Sequence, residues 1–125
     1  MKRIIFLLLT CIMYSCSNTD TCKENDVVKN RFNFYINSIN NYDLYRGVIT
    51  DSLLANFGFS AEVLSDLTGE EYSYIFAEPP SYKTRKDCLS DIKKYKKWYN
   101  ENKCKITIEK LDSIEKNVYS KRIWW

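Results

Sequence analysis

The sequence predicts one mainly helical domain of four or five helices, and three observations carry that expectation. At 125 residues the chain has room for one domain and not two. Its 45% hydrophobic and 15% aromatic content is that of a folding chain and not of a disordered tail. From residue 24 onward, apolar side chains recur at the spacing of a helix face.

The N-terminal stretch reads as an address. Met1-Lys2-Arg3 is a short positive segment, and the ten mostly apolar residues 4–13 follow it. Ten residues make about 15 Å of helix, half of the roughly 30 Å needed to cross hydrocarbon. Residues 1–15 are therefore expected to be a cleavable signal and not a permanent span. The following Met13-Tyr14-Ser15-Cys16 resembles the lipobox of bacterial lipoproteins, with Met13 where that class usually has Leu and Tyr14 where it usually has a small residue. The resemblance implies cleavage before Cys16, lipid on its sulfur and an acylated amino group, hence a stable hold on the bilayer. The alternative is an ordinary signal-peptidase site near Ser15 or Ser17. Residues 16–23 would then be the lipidated cysteine and a polar tether, and residues 24–125 the folded domain. The tether lacks a dense acidic run, so an outer-membrane anchor facing the periplasm is expected over surface display.

Removing the signal alters the inventory. Of 19 basic residues two leave with it, so 17 face 16 acidic ones, a formal +1. Nucleic acid is thereby argued against as a partner. Of five cysteines, Cys11 leaves and Cys16 carries lipid, so Cys22, Cys88 and Cys104 remain in an oxidising compartment. Three cysteines allow at most one internal pair. The absence of CxxC spacing and of any histidine argues against a zinc site or other cofactor.

The first expected helix starts near residue 24 and buries Val28, Phe32, Tyr35, Ile36 and Ile39; Asn40-Asn41 and Gly47 close it. Residues 48–57 hold a second pattern in Ile49, Leu53, Leu54 and Phe57, ended by Gly58. Ser60 can cap a third helix, with Val63, Leu64 and Leu67 inward and Gly69 as the left-handed stop. Pro79-Pro80 forces an extended loop. Thr84-Arg85-Lys86-Asp87 matches a capping box with Asp in place of Glu and opens the clearest helix, over 85–101. Its buried stripe is Cys88, Ile92, Tyr95 and Tyr99, flanked by Leu89 and Trp98. Beyond it, Cys104, Ile106 and Ile108 alternate like a strand, while Leu111, Ile114 and Val118 space like a helix; helix over 108–121 is favoured. If 85–101 is one helix, Cys88 and Cys104 lie roughly 20 Å apart and cannot pair, so any bridge uses Cys22.

One stretch carries a second resemblance. Residues 64–74 (Leu64-Ser65-Asp66-Leu67-Thr68-Gly69-Glu70-Glu71-Tyr72-Ser73-Tyr74), then Pro79-Pro80 and residues 92–103 with Tyr95, Trp98, Tyr99, Asn102 and Lys103, resemble a helical-hairpin unit of bacterial HEAT-repeat proteins. Ser73 stands where that unit has glycine. The match covers about 40 of the 125 residues and implies an α-hairpin with a binding role.

Catalytic candidates are weak. With no histidine, no GxSxG and three glycines, the chain lacks the parts of a nucleophile elbow or a phosphate loop. Charge segregation is more informative. Residues 51–78 carry six acids and no base, whereas 83–105 carry nine bases and three acids. One-sign patches speed association and select partners. The expected partner surface is therefore Lys93, Lys94, Lys96 and Lys97, with an anionic leaflet as the lesser alternative to a protein. Trp124 and Trp125 either cover the edge of the core or serve as exposed aromatic anchors of that surface. The expected role is a non-catalytic protein-binding module, in the form of an immunity or inhibitor protein against an envelope-delivered toxin. The alternative is an accessory subunit of an envelope complex.

Overall fold

Asn25 begins the first helix by accepting the Val27 and Val28 amides on its side-chain oxygen, at 2.9 and 3.2 Å. This satisfies two of the donors that a helix start leaves without partners. The computed structural model describes residues 22–122, and among them four helices stand in order: α1 (Asp26–Leu44), α2 (Asp51–Thr68), α3 (Arg85–Asn102) and α4 (Ile108–Arg122). Thr50 caps α2, Thr84 caps α3 through the Asp87 amide, and Thr107 caps α4 through the Lys110 amide. Gly69, at φ 72°, ends α2 in the left-handed conformation that glycine adopts without penalty. The chain is thus a small, mainly helical domain.

Two boundaries differ from the sequence expectation. α1 runs through Asn40-Asn41 to Leu44, because the Asn40 side chain accepts the Arg85 guanidinium at 2.5 Å and Tyr42 is buried one turn on. α2 is one helix where two were expected. Gly58 does not stop it, and Ser60 is fully buried inside it instead of capping a new one. The reason is tertiary: a Cβ at Gly58 would lie 1.9 Å from Nη2 of Arg122, so the missing side chain makes room for the end of α4. Phe57, Ala61 and Leu64 bury the same helix on both sides of it, which offsets glycine's helix cost of about 1 kcal/mol.

The core is aromatic. Tyr35, Tyr95 and Phe57 are its largest fully buried side chains. Tyr42 stacks on Phe57 with ring centroids 4.0 Å apart, and Phe32 stacks on Tyr99 at 4.1 Å. α1 packs against the other three helices, most extensively against α2, and α2 also touches α3 and α4 directly. Arg85 ties the start of α3 to the end of α1 through Asp43 at 2.7 Å, and Arg31 ties α1 to α4 through Asp112 at 2.5 Å.

The α2–α3 connection is a pinned loop. Ile75 and Ser81 exchange backbone hydrogen bonds of 2.7 and 3.2 Å, and the Glu78–Pro79 peptide between them is cis. Tyr74 and Tyr82 flank this bridge and are buried against Phe57. Ser73 gives both its amide and its hydroxyl to Asp91. At the far end, Cys104 lies in the α3–α4 turn and is bonded to Cys22, with Cα atoms 5.5 Å apart. The bridge uses Cys22, as helix geometry requires, and Cys88 stays free and buried within α3. The alternation of Cys104, Ile106 and Ile108 is a turn entering α4, with Ile106 buried in the core and Ile108 packed half-buried against it.

Candidate partner-binding surface

α3 presents its buried stripe as the spacing predicts: Cys88, Ile92, Tyr95 and Tyr99 are all inside. The four lysines of 93–97 divide between two faces. Lys93, Lys96 and Lys97 line one shallow groove together with Leu89 and Ile92. Lys94 turns the other way, donating to the Glu71 carbonyl at 3.0 Å and lying 3.4 Å from Asp91. It holds the loop after α2 and is engaged within the fold. Among the described residues Lys93 and Lys96 have no carboxylate within ion-pair distance, and Lys97 has only the exposed Glu101 at 3.9 Å. Such an exposed pair contributes little. Leu89, half exposed at the groove's edge, adds an apolar element.

The two charge blocks do not neutralise each other. No carboxylate of 51–78 pairs with a base of 83–105 among the described residues. Asp66 and Glu62 instead meet Lys121 and Arg122 from α4, each at 3.7 Å. The basic face of α3 is left available, and so are the remaining acids of α2 and its loop.

A second feature escapes sequence reading. A cleft of about 920 Å³ opens between α2, the pinned loop and the end of α4. Its floor is Leu54, Phe57 and Tyr74; Asp51, Glu62 and Glu78 stand around it, and Arg122 is its one basic residue. Phe76, 77% exposed, stands in its wall. Past Arg122 and Ala55 a smaller hollow continues beside Phe59 and Tyr119, the latter 65% exposed. These residues come from three segments with no common spacing, so no sequence signal joins them.

Burial sets the protonation of the interior groups. Burial pushes the Cys88 thiol up to about 12, so it stays protonated at neutral pH and is a poor nucleophile. Burial likewise raises Tyr35, Tyr74, Tyr82 and Tyr95 well above the usual phenol range. The Tyr99 hydroxyl, donating to Glu24, holds that carboxyl below its ordinary value. Among the described residues no grouping of three metal-ligating acids or cysteines occurs, and no helix is long and apolar enough to cross a membrane. The expected signal over 1–15, the lipid site Cys16 and the anchors Trp124 and Trp125 lie outside the described residues.

Compared with protein-family models, curated proteins and solved structures, the chain matches none.

Proposed function

We propose that the protein is a lipid-anchored, non-catalytic protein-binding module of the bacterial envelope, and that its working form is an immunity or inhibitor protein against a toxin delivered there. The observation that carries this reading is the basic face of α3. Lys93, Lys96 and Lys97 stand together over Leu89 and Ile92, and among the described residues their one ion-pair partner is the exposed Glu101, 3.9 Å from Lys97. An uncompensated one-sign patch on a rigid helix is an electrostatic guide for an acidic partner. The zero histidine count and the buried, protonated Cys88 support a binding role over a catalytic one. The lipobox-like Cys16 supports attachment to a membrane, and the absence of a dense acidic run in the tether supports a periplasm-facing position on the outer membrane. The HEAT-like pattern over 64–103 supports a helical surface used for recognition.

The test uses the full chain, extracted in mild detergent, to capture proteins from envelope fractions beside the triple variant K93E/K96E/K97E. Capture of a secreted toxin whose activity the chain suppresses is the expected result, with binding reduced about tenfold or more in the variant. Capture of transport or assembly proteins would sink the immunity form in favour of an accessory subunit. Unchanged capture by the variant would remove the basic face as the binding surface. Cys16→Ala should release the chain from membranes, and retention would defeat the anchor.

A further inference from the structure

The cleft on the other side of the charge division has its own chemistry. Asp51 opens α2 and Glu62 lies three turns on along the same helix face, while Glu78 reaches in from the pinned loop. Glu62 is shared with Arg122 at 3.7 Å. Asp51 and Glu78 have no basic partner within ion-pair distance among the described residues. Arg122, the single cation, is already held: it donates to the Ala55 carbonyl at 2.9 Å and its tip fills the space above Gly58. Three carboxylates against one guanidinium leave the lining with a formal charge of −2. Beneath them Phe57 and Tyr74 are buried, and the ring of Phe76 stands exposed beside the carboxylates.

Like charges around exposed apolar area are unfavourable twice over, through repulsion and through hydration of the rings. One occupant relieves both: a cation flanked by apolar groups. Arginine fits better than lysine, because its planar guanidinium both forks onto carboxylates and stacks on an aromatic face. The shape argues for a chain segment over a small molecule. The cleft and the Phe59–Tyr119 hollow share Ala55 and Arg122 as lining, so the two adjoin and together offer length for a chain segment, with the acids on the cleft's side. An aromatic anchor inside a charged rim is the usual anatomy of a protein contact.

We propose that this cleft binds an arginine-bearing, apolar segment of a protein partner, its guanidinium taken by Asp51 and Glu78 and its apolar flanks covering Phe76. The inference goes beyond the basic face of α3 and stands whether or not that face binds anything.

The test measures fluorescence anisotropy of a labelled peptide amide carrying arginine between two leucines, with the full chain in neutral detergent. A matched peptide with glutamate in place of arginine is the control. The arginine peptide should bind saturably and the glutamate peptide about tenfold or more weaker. D51N/E78Q should weaken binding about tenfold, F76A should weaken it too, and K93E/K96E/K97E should leave it unchanged. Circular dichroism of each variant confirms the fold. Equal binding of both peptides, no saturable binding at millimolar peptide, or indifference to D51N/E78Q would each overturn the proposal. A photoreactive phenylalanine analogue at position 76 locates the occupant. It should crosslink the arginine peptide, and capture of residues 123–125 of its own chain or of a second copy instead would overturn the assignment.

Discussion

Asp91 grips Ser73 with both carboxylate oxygens, taking the backbone amide at 2.7 Å and the hydroxyl at 2.9 Å, while itself being 1% exposed. The pair fastens the loop that walls the acidic cleft to the middle of the helix that carries the basic face. Each candidate surface is positioned through the same contact. A glycine, which the resemblance to HEAT hairpins would place at position 73, has no hydroxyl to offer Asp91.

Asp91→Ala should therefore destabilise the fold by about 3 kcal/mol, since it strands the Ser73 amide and removes two charge-assisted hydrogen bonds. Ser73→Ala, which keeps the amide bond, should cost about 1 kcal/mol. Urea denaturation followed by circular dichroism measures both. Equal costs would mean that the amide bond contributes nothing.

Gly58 and Arg122 should be coupled. Gly58→Ala alone improves helix propensity by about 1 kcal/mol but displaces the guanidinium, so the net change should be close to zero. In an Arg122→Ala background the space is free, and the same substitution should stabilise by about 1 kcal/mol. A double-mutant cycle in urea reads the difference; identical effects in both backgrounds would refute the contact.

The Cys22–Cys104 bond spans 82 residues of sequence, and closing so long a loop restricts the unfolded chain strongly. Replacing both cysteines with alanine should cost about 2–4 kcal/mol, with the midpoint of thermal unfolding falling to match. The change appears in a thermal scan of the double variant against the parent chain. Cys88 should meanwhile resist alkylation in the native state and react once urea unfolds the chain.

Alkali should unfold the protein cooperatively. Tyr35, Tyr74, Tyr82, Tyr95 and Tyr99 all have phenols raised above the ordinary 10.0, with burial as the leading cause. The unfolded chain loses these protons from about pH 10 upward while the folded chain keeps them, so stability is full below that pH and falls as pH rises. Cys88 adds the same sign between its ordinary 9.0 and about 12. Phenolate absorbance should rise together with loss of helical dichroism; smooth titration of a folded chain would contradict the burial of these rings.

The helices were legible because their signals are local. Thr84, the Cys88–Ile92–Tyr95–Tyr99 stripe and Gly69 each act within a few residues and behave as their spacing predicts, although of the capping box only the Thr84 cap of the Asp87 amide forms. Gly58 and Ser60 carried equally plain local signals and misled, because α2 runs on through the burial of Phe57, Ser60, Ala61 and Leu64. The small residue at 58 makes room for Arg122, far along the chain. Helix length excluded a Cys88–Cys104 bridge, yet the choice between Cys88 and Cys104 for Cys22 needed the burial of Cys88, a property of the assembled core. On α3, composition grouped Lys94 with its neighbours, whereas its contacts to Asp91 and to the Glu71 carbonyl separate it. The acidic cleft was illegible for the same reason: its carboxylates and rings meet only after α2, the loop and α4 have packed.

The disulfide also fixes how the molecule would bear mechanical load. Cys22 and Cys104 close a covalent ring around α1, α2 and α3, and α4 alone hangs outside it. Tension between residues 22 and 122 crosses the sulfur bridge directly, so the ring lies off the force path and only residues 105–122 can lengthen. What resists that extension is the seam of α4, sewn at Arg31–Asp112 and at Arg122 with the Ala55 carbonyl. Under a steady pull α4 peels away first, and the three helices inside the covalent loop carry none of the load.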